Sequence, residues 1–471
     1  MDVNGIIISD LLRPSVLKSS TLSALLRILS LSSLLVSQKS DTPLFYSYLA
    51  LLAWVPLPLG SNKAWAISLL SSITFALLAW WLVLYTQRKL SLSKSFSNSW
   101  LVIALLLCAP LWALMQFQLD ITIDPANTLQ DALFGFALAG LFTLTTLLVK
   151  SKRRIKLLCF TLVGSGLFQA VYGSMMTLTG IEYLFFVPKE HYLNLTTGTF
   201  VNRNHLAGYL ELTLAVGIGL MISTLDGSSA ANWRDFFRRL LTTLLGNKAR
   251  LRIILVMMVA GLVMSHSRMG NSAFFASLSI AGVLALILSR RSTKATIILI
   301  SSLIIIDLFV VGTFFGVEQV VQRLEKTSDS SETRDEVNTY TLGAIEDNLL
   351  TGSGAGSYYT LFPAYREYDA GRGFYNHAHN DYFEFASDYG VVVTGCLMLA
   401  VLLVFISAIR AQIKRKNTLM RGLAFSATMA IIALAIHSTV DFNLQIPANA
   451  ATFVIILALG QISLHHKSRE R

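Results

Sequence analysis

Apolar runs of about twenty residues recur along most of the chain, separated by short polar turns. A helix needs about 20 residues to cross a hydrocarbon core of roughly 30 Å. Lipid offers no hydrogen-bond partners, so each run must pair its own backbone as a helix. The short alternating segments of a transmembrane β-barrel do not occur in the pattern. The runs predict twelve spans, at about 44–60, 65–86, 99–117, 129–149, 155–179, 205–224, 251–266, 270–289, 295–316, 390–409, 419–437 and 447–465. A further apolar stretch, Leu22–Val36, is interrupted by Arg27 and serines and reads as an interfacial amphipathic helix. The fold class expected is therefore an all-α polytopic membrane protein.

The pattern also divides the chain. An N-terminal segment, 1–43, precedes helices over 44–316; a long loop, 317–389, separates these from helices over 390–465 and a tail, 466–471. Within the loop, Val317–Lys326 and Thr333–Asn348 read as helical pieces joined by a Ser/Asp linker, Thr327–Ser331. A turn, Thr351–Ser357 (TGSGAGS), then an aromatic stretch, then a helix from about His379 complete it. TGSGAGS lacks the lysine that follows a phosphate-binding P-loop, so it reads as a turn.

Charge gives the arrangement a direction. The 471-residue chain is 54% hydrophobic, 14% charged and carries a net charge of +11. Its basic residues fall in clusters between spans, which points to the membrane rather than to nucleic acid. Arg88, Lys89 and Lys94 form one cluster; Lys150–Lys156, Arg234–Arg250, Arg290–Lys294, Arg410–Lys416 and Lys467–Arg471 form the others. The loops between them are poor in lysine and arginine. The positive-inside rule then puts both termini in the cytoplasm. Outside lie 180–204, the turn Ser265–Gly270, the loop 317–389, and 438–446. Asp2 and Asp10 argue against a cleavable signal peptide. The three cysteines, Cys108, Cys159 and Cys396, sit in apolar runs and read as small core residues.

Polar chemistry gathers in those outer segments. Arg203, flanked by Asn202, Asn204 and His205, opens a span, and helix N-termini favour anions. Arg268 stands in SHSRMG, where a guanidinium fork suits phosphate oxygens. Both arginines also fit the role of interfacial anchors. Tyr375–Gly390 (YNHAHNDYFEFASDYG) places His377 and His379 just before a helix whose first turn suits Asn380 and Asp381. A neutral histidine there can take a proton from a sugar hydroxyl. Metal binding by His377, His379 and Asp381, or a purely structural role, are the rival readings. Tyr358, Tyr359, Phe362, Tyr365, Tyr368, Phe374 and Tyr375 crowd the loop, interleaved with Arg366 and Arg372. They suit either an aromatic belt or stacking on sugar rings. His437 and Asp441 form a titratable pair in the last outer turn, with helix capping as the alternative for Asp441.

Four motifs together resemble the O-antigen ligase and polymerase superfamily of bacterial inner-membrane proteins. They are FVNRNHLAGYL (Phe200–Leu210), SHSRMG (Ser265–Gly270), GSGAGSY (Gly352–Tyr358) and HAHNDYFEFASDYG (His377–Gly390). The resemblance covers roughly Thr199 to Pro447. It implies a GT-C-like helical fold and a periplasmic active site in the cell inner membrane. It implies transfer of a glycan from an undecaprenyl-pyrophosphate carrier to a sugar hydroxyl, on lipid A–core in ligases or on a growing glycan in polymerases. Membrane lipid and polysaccharide assembly machinery are the implied partners; no nucleic acid, cofactor or metal is implied. By motif position, Arg203 and Arg268 hold the pyrophosphate and His379 assists the acceptor hydroxyl. Substrate contacts are expected from His377, Asn380, Asp381, Asn202, Asn204, Arg366, Arg372 and Tyr365. Ligases tend to place a small or polar residue three positions after the loop glycine. Here Gly390 is followed by Val391, Val392 and Val393, so a polymerase or exopolysaccharide transferase remains open. A small-anion transporter and a passive assembly partner are the readings of other classes.

Overall fold

The computed structural model of the chain describes residues 41–224, 247–288, 328–367 and 375–466. The expected span 295–316, the interfacial stretch Leu22–Val36, the piece Val317–Lys326, and Arg372 with its neighbours Tyr368 and Phe374 lie outside the described residues.

The principal helices are α1 (Thr42–Trp54), α2 (Ala64–Thr86), α3 (Trp100–Gln118), α4 (Pro125–Leu148), α5 (Lys152–Thr179) and α6 (Arg203–Ser223). They continue as α7 (Asn247–Met264), α8 (Arg268–Leu288), α9 (Ser328–Asp347), α10 (Asp381–Lys414), α11 (Thr418–His437) and α12 (Pro447–His465). A small hairpin, β1 (Tyr183–Leu184) with β2 (Val187–Pro188), joins α5 to α6. Among the described residues, nine of these helices are long and apolar enough to cross a membrane: α2 to α6, α8 and α10 to α12.

Helices that are apolar all round must face either protein or lipid, and both kinds occur. α6 and α12 are buried along nearly their whole length, whereas only 33% of the apolar stretch of each of α2, α3 and α10 is buried. Lipid supplies no hydrophobic drive between helices, so contact depends on close packing of small residues. Gly219 of α6 faces Gly422 of α11 so closely that a Cβ on Gly219 would meet the Gly422 carbonyl oxygen at 2.3 Å.

Two expectations need correction. The span 44–60 is helical only to Trp54, 13 residues or about 20 Å. Pro56 and Pro58 follow, and each lacks the N–H a helix would require. The segment nevertheless connects the two ends of the bundle. Arg154, opening α5, pairs with Asp41 at 2.5 and 2.9 Å, while Thr199, before α6, donates to the Pro56 carbonyl at 2.7 Å. The linker Thr327–Ser331 is largely absorbed into α9, which runs unbroken from Ser328. As expected from the sequence, a helix begins near His379, at Asp381; it is broken at Gly390 (φ 76°, ψ 163°), where the expected span starts.

That break is held by the TGSGAGS turn. Leaving helical geometry frees the carbonyls before Gly390, and the turn supplies donors for them. Ser353 N–H reaches the Ser387 oxygen at 2.9 Å, and Gly354 N–H reaches the Asp388 oxygen at 3.2 Å. From α3, the Gln116 amide donates to the carbonyls of Thr351 and Asp388 at 2.7 and 2.8 Å and accepts from Ala355 N–H at 3.1 Å. The Gly356 N–H donates to the Asp388 carboxylate at 3.0 Å. The turn is thus a latch between the loop and α10.

Candidate functional site

The N-termini of α6, α8, α10 and α12 meet at the same end of the bundle as the C-terminus of α11. Each begins with a side-chain cap or a proline. The Asn202 side chain accepts from Asn204 N–H at 2.9 Å, which starts α6 at Arg203. Ser267 accepts from Gly270 N–H at 3.2 Å at the start of α8, beside Arg268. Asn380 accepts from Tyr382 and Phe383 N–H at 3.1 and 3.3 Å and starts α10. Pro447 occupies the first turn of α12, where its missing N–H costs nothing.

The turn joining α11 to α12 closes this end. Asp381 holds it: its carboxylate accepts from the Ser438 hydroxyl at 2.6 Å and from Leu444 N–H at 3.2 Å. The Asn449 amide donates to the His205 carbonyl at 3.0 Å and to the Asn443 side chain at 2.9 Å. So fastened, the turn presents Asp441 and Phe442 to the helix ends around it.

Three imidazoles face the buried Asp441 carboxylate. His205 Nε2 lies 3.9 Å away, His379 Nδ1 3.8 Å and His437 Nε2 3.7 Å. Phe442 packs against two of these rings and against His377. His377 stacks on it at 4.1 Å between centroids, and His205 and His379 stand edge-on at 4.6 and 4.8 Å. Burial by itself would push the Asp441 carboxyl up. The imidazoles of His379, His437 and His205, all within 4 Å, outweigh it and hold the group well below the usual carboxylate range. Asp441 therefore stays ionised and aims charge at His379. The His379 backbone is left-handed (φ 52°), an uncommon state for a residue with a Cβ, and His266 beside Arg268 shares it (φ 51°).

Two further acids complete the cluster. Glu211, on α6 and fully buried, lies 2.8 Å from His437 Nδ1, so His437 spans two carboxylates. A Cβ on Gly270 would stand 3.2 Å from Glu211 Oε1, which shows how tightly the start of α8 is set against α6. Glu384, one turn into α10, receives His377 Nδ1 at 2.6 Å and Ala378 N–H at 2.9 Å. Burial would lower the His377 imidazole, but the charge of Glu384 and its hydrogen bond prevail, and the group is raised above its ordinary value.

The expected site residues divide accordingly. His377, His379, Asn380 and Asp381 are brought together around the 438–446 turn, with Asn380 as a helix cap and Asp381 as the strut of that turn. Asn202 caps α6 and half-buried Asn204 follows Arg203. Arg203 lies over the Tyr192 ring at 5.8 Å, two residues before His205. Arg268 is exposed at the head of α8. Tyr365 and Arg366 are placed elsewhere on the loop: Tyr365 donates to Asp347 at 2.9 Å, and Arg366 lies 5.8 Å over the Tyr375 ring. Among the described residues, no group of three or more His, Cys, Asp or Glu is arranged to hold a metal ion.

Glu211, Glu384 and Phe442 were not among the expected site residues. Glu211 carried a signal, an acid within an otherwise apolar run, and so did the i, i+4 pair His437 and Asp441. Phe442 carried none.

Residues 253–398 match a family model described as O-antigen ligase. The match takes in Arg268, His377, His379, Glu384 and the Gly390 break; Arg203, His205, Glu211, His437 and Asp441 lie outside it. No curated protein matches the chain.

Proposed function

From the O-antigen ligase match over residues 253–398, we propose that this chain moves a glycan from an undecaprenyl-pyrophosphate carrier to a sugar hydroxyl at the periplasmic face of the inner membrane. One observation supports the chemistry above the rest: His379 is held between the Asp441 carboxylate and the Phe442 ring, at an end of the bundle where two arginine-headed helices also begin.

His379 turns Nδ1 to Asp441, which leaves Nε2 for an acceptor hydroxyl. This is the division of labour by which a carboxylate orients a general-base histidine. The acceptor oxygen attacks the anomeric carbon as its proton passes to Nε2. The bond from that carbon to the pyrophosphate breaks, and its electron pair leaves on the phosphate oxygen. A single displacement of this kind inverts the anomeric centre. Charge grows on the pyrophosphate, and Arg203, Arg268 and the N-termini of α6 and α8 offset it. His377 and Asn380 hold the segment carrying His379, while Tyr365 and Arg366 would meet the glycan further out.

Removing one such group typically costs a factor of about 100 or more. Arg268→Ala, at equal membrane abundance, is expected to lose at least that much glycan transfer; wild-type transfer would sink the leaving-group role. The alternative acceptor is a second lipid-linked glycan, as in polymerases, and the Val391–Val393 run after Gly390 favours keeping it. Carrier-linked long chains accumulating without the protein indicate a ligase, and single repeats a polymerase.

A further inference from the structure

The segment between α5 and the Arg203 turn does not extend away from the helix it follows. Gly180 ends α5 in a left-handed conformation (φ 70°) and turns the chain back. The Tyr172 hydroxyl then donates to the Tyr183 carbonyl at 2.7 Å and accepts from Phe185 N–H at 2.9 Å. Phe185 stacks on Tyr172 at 5.6 Å, and Tyr172 on Phe168 at 5.5 Å. Tyr172 precedes the end of α5 at Thr179 by seven residues, about 10 Å along the axis. The hairpin therefore lies along the flank of a membrane-length helix, not above its end.

Its side chains are sorted the wrong way for water. The charged pair is inside: Lys189 and Glu182 meet at 2.7 Å with side chains 2% and 6% exposed. The apolar residues are outside: Ile181, Phe185 and Val187 are exposed, and Phe186 at the tip is 96% exposed. This surface is continuous with Phe168, Met175 and Leu178, which α5 exposes along the same chain segment. Strand pairing and the Tyr172 hydroxyl satisfy backbone groups that lipid could not. Exposed aromatics of this kind belong at the membrane interface.

We propose that the Ile181–Pro188 hairpin is an interfacial anchor, seated among the acyl chains of the leaflet on the site's side, with Phe186 inserted deepest. The occupant is bilayer lipid. A single isoprenoid chain would call for a concave groove, and the tip is convex. The anchor is coupled to the site. Lys189 donates to the Leu195 carbonyl at 2.7 Å, and Tyr192, within the bridged segment, carries Arg203 against its ring. Hairpin depth thereby sets the height of Arg203 relative to the lipid headgroups; this consequence alone rests on the proposed glycan transfer.

The test replaces Phe186 with the photoreactive p-benzoylphenylalanine in the full chain, reconstituted in phosphatidylethanolamine–phosphatidylglycerol vesicles and irradiated. Phe168, on the exposed flank of α5, carries the same probe as reference, and each protein is first shown to elute as a single species in detergent. Phospholipid adducts at 186 as abundant as those at 168 are expected. Loss of the adduct at 186 with labelling retained at 168, or a protein adduct at 186 in its place, would overturn the anchor. Since the readout needs no glycan transfer, it stands or falls separately from the proposed reaction.

Discussion

Asp441 and Glu384 act as the two fixed charges between which the His377–His379 segment is set. Asp441 faces His379, while Glu384 binds both His377 and the Ala378 N–H. Because the His377 value is raised on folding, its tie to Glu384 adds stability that is fully present below the unfolded value of about 6.5. That stability is lost as pH rises through the raised folded value. A charge-assisted hydrogen bond contributes about 1.5–3 kcal/mol, and partial exposure of the ring reduces this to roughly 1 kcal/mol. The gap in thermal midpoint between wild type and Glu384→Gln should therefore be widest in mild acid and shrink at alkaline pH. What survives at high pH belongs to the hydrogen bonds that the carboxylate keeps with neutral His377 and the Ala378 N–H. A gap that does not change with pH would remove the charge from the tether. The histidines themselves were legible in the sequence, because HAHND is polar and sits at a helix start. Their partners were legible only in part. Asp441 pairs with His437 by spacing and Glu384 lies seven residues from His377, but nothing local reports that the fold turns Asp441 toward His379 or Glu211 toward His437.

Hydropathy located most helices to within a few residues. α2 to α6, α8, α11 and α12 follow the predicted spans because apolar length is set by bilayer thickness. One boundary failed for a local reason: the proline pair after Trp54 stops α1. The device at Gly390 was also hidden, since its need for glycine arises from a contact 40 residues away in sequence, with Leu350. A Cβ on Gly390 would meet the Leu350 carbonyl oxygen at 2.4 Å, and φ there is 76°. Strain and clash add, so Gly390→Ala should destabilise by about 2–4 kcal/mol. Gly395, five residues on in the same helix, supplies the control: its Cβ position has nothing within 4 Å. Gly395→Ala should be neutral or stabilising by up to about 1 kcal/mol. Equal thermal midpoints for the two variants in detergent would show that the latch does not depend on Gly390.

Among the described residues, the histidine–carboxylate chemistry and most of the basic clusters between helices occupy opposite ends. The site end collects helix N-termini and the histidine–carboxylate cluster. The other end holds the Arg154–Asp41 pair, Lys150 bonded to the Ser91 carbonyl at 2.7 Å, and Arg415 bonded to the Ser463 carbonyl at 2.9 Å and to the carbonyl of His466. Lysine and arginine resist translocation, so the basic end should be cytoplasmic and the site end periplasmic. This matters for mechanism, because the leaflet on the site side is the one from which a lipid-linked donor could reach Arg203 and Arg268. Alkaline phosphatase folds only where its disulfides can form, which makes it a reporter of side. Fused after Tyr359, in the latch loop, it should be active; fused after Arg153, at the start of α5, it should be inactive. The reverse pattern would invert the protein in the membrane. It would put the proposed site in the cytoplasm, where a periplasmic acceptor hydroxyl could not reach His379.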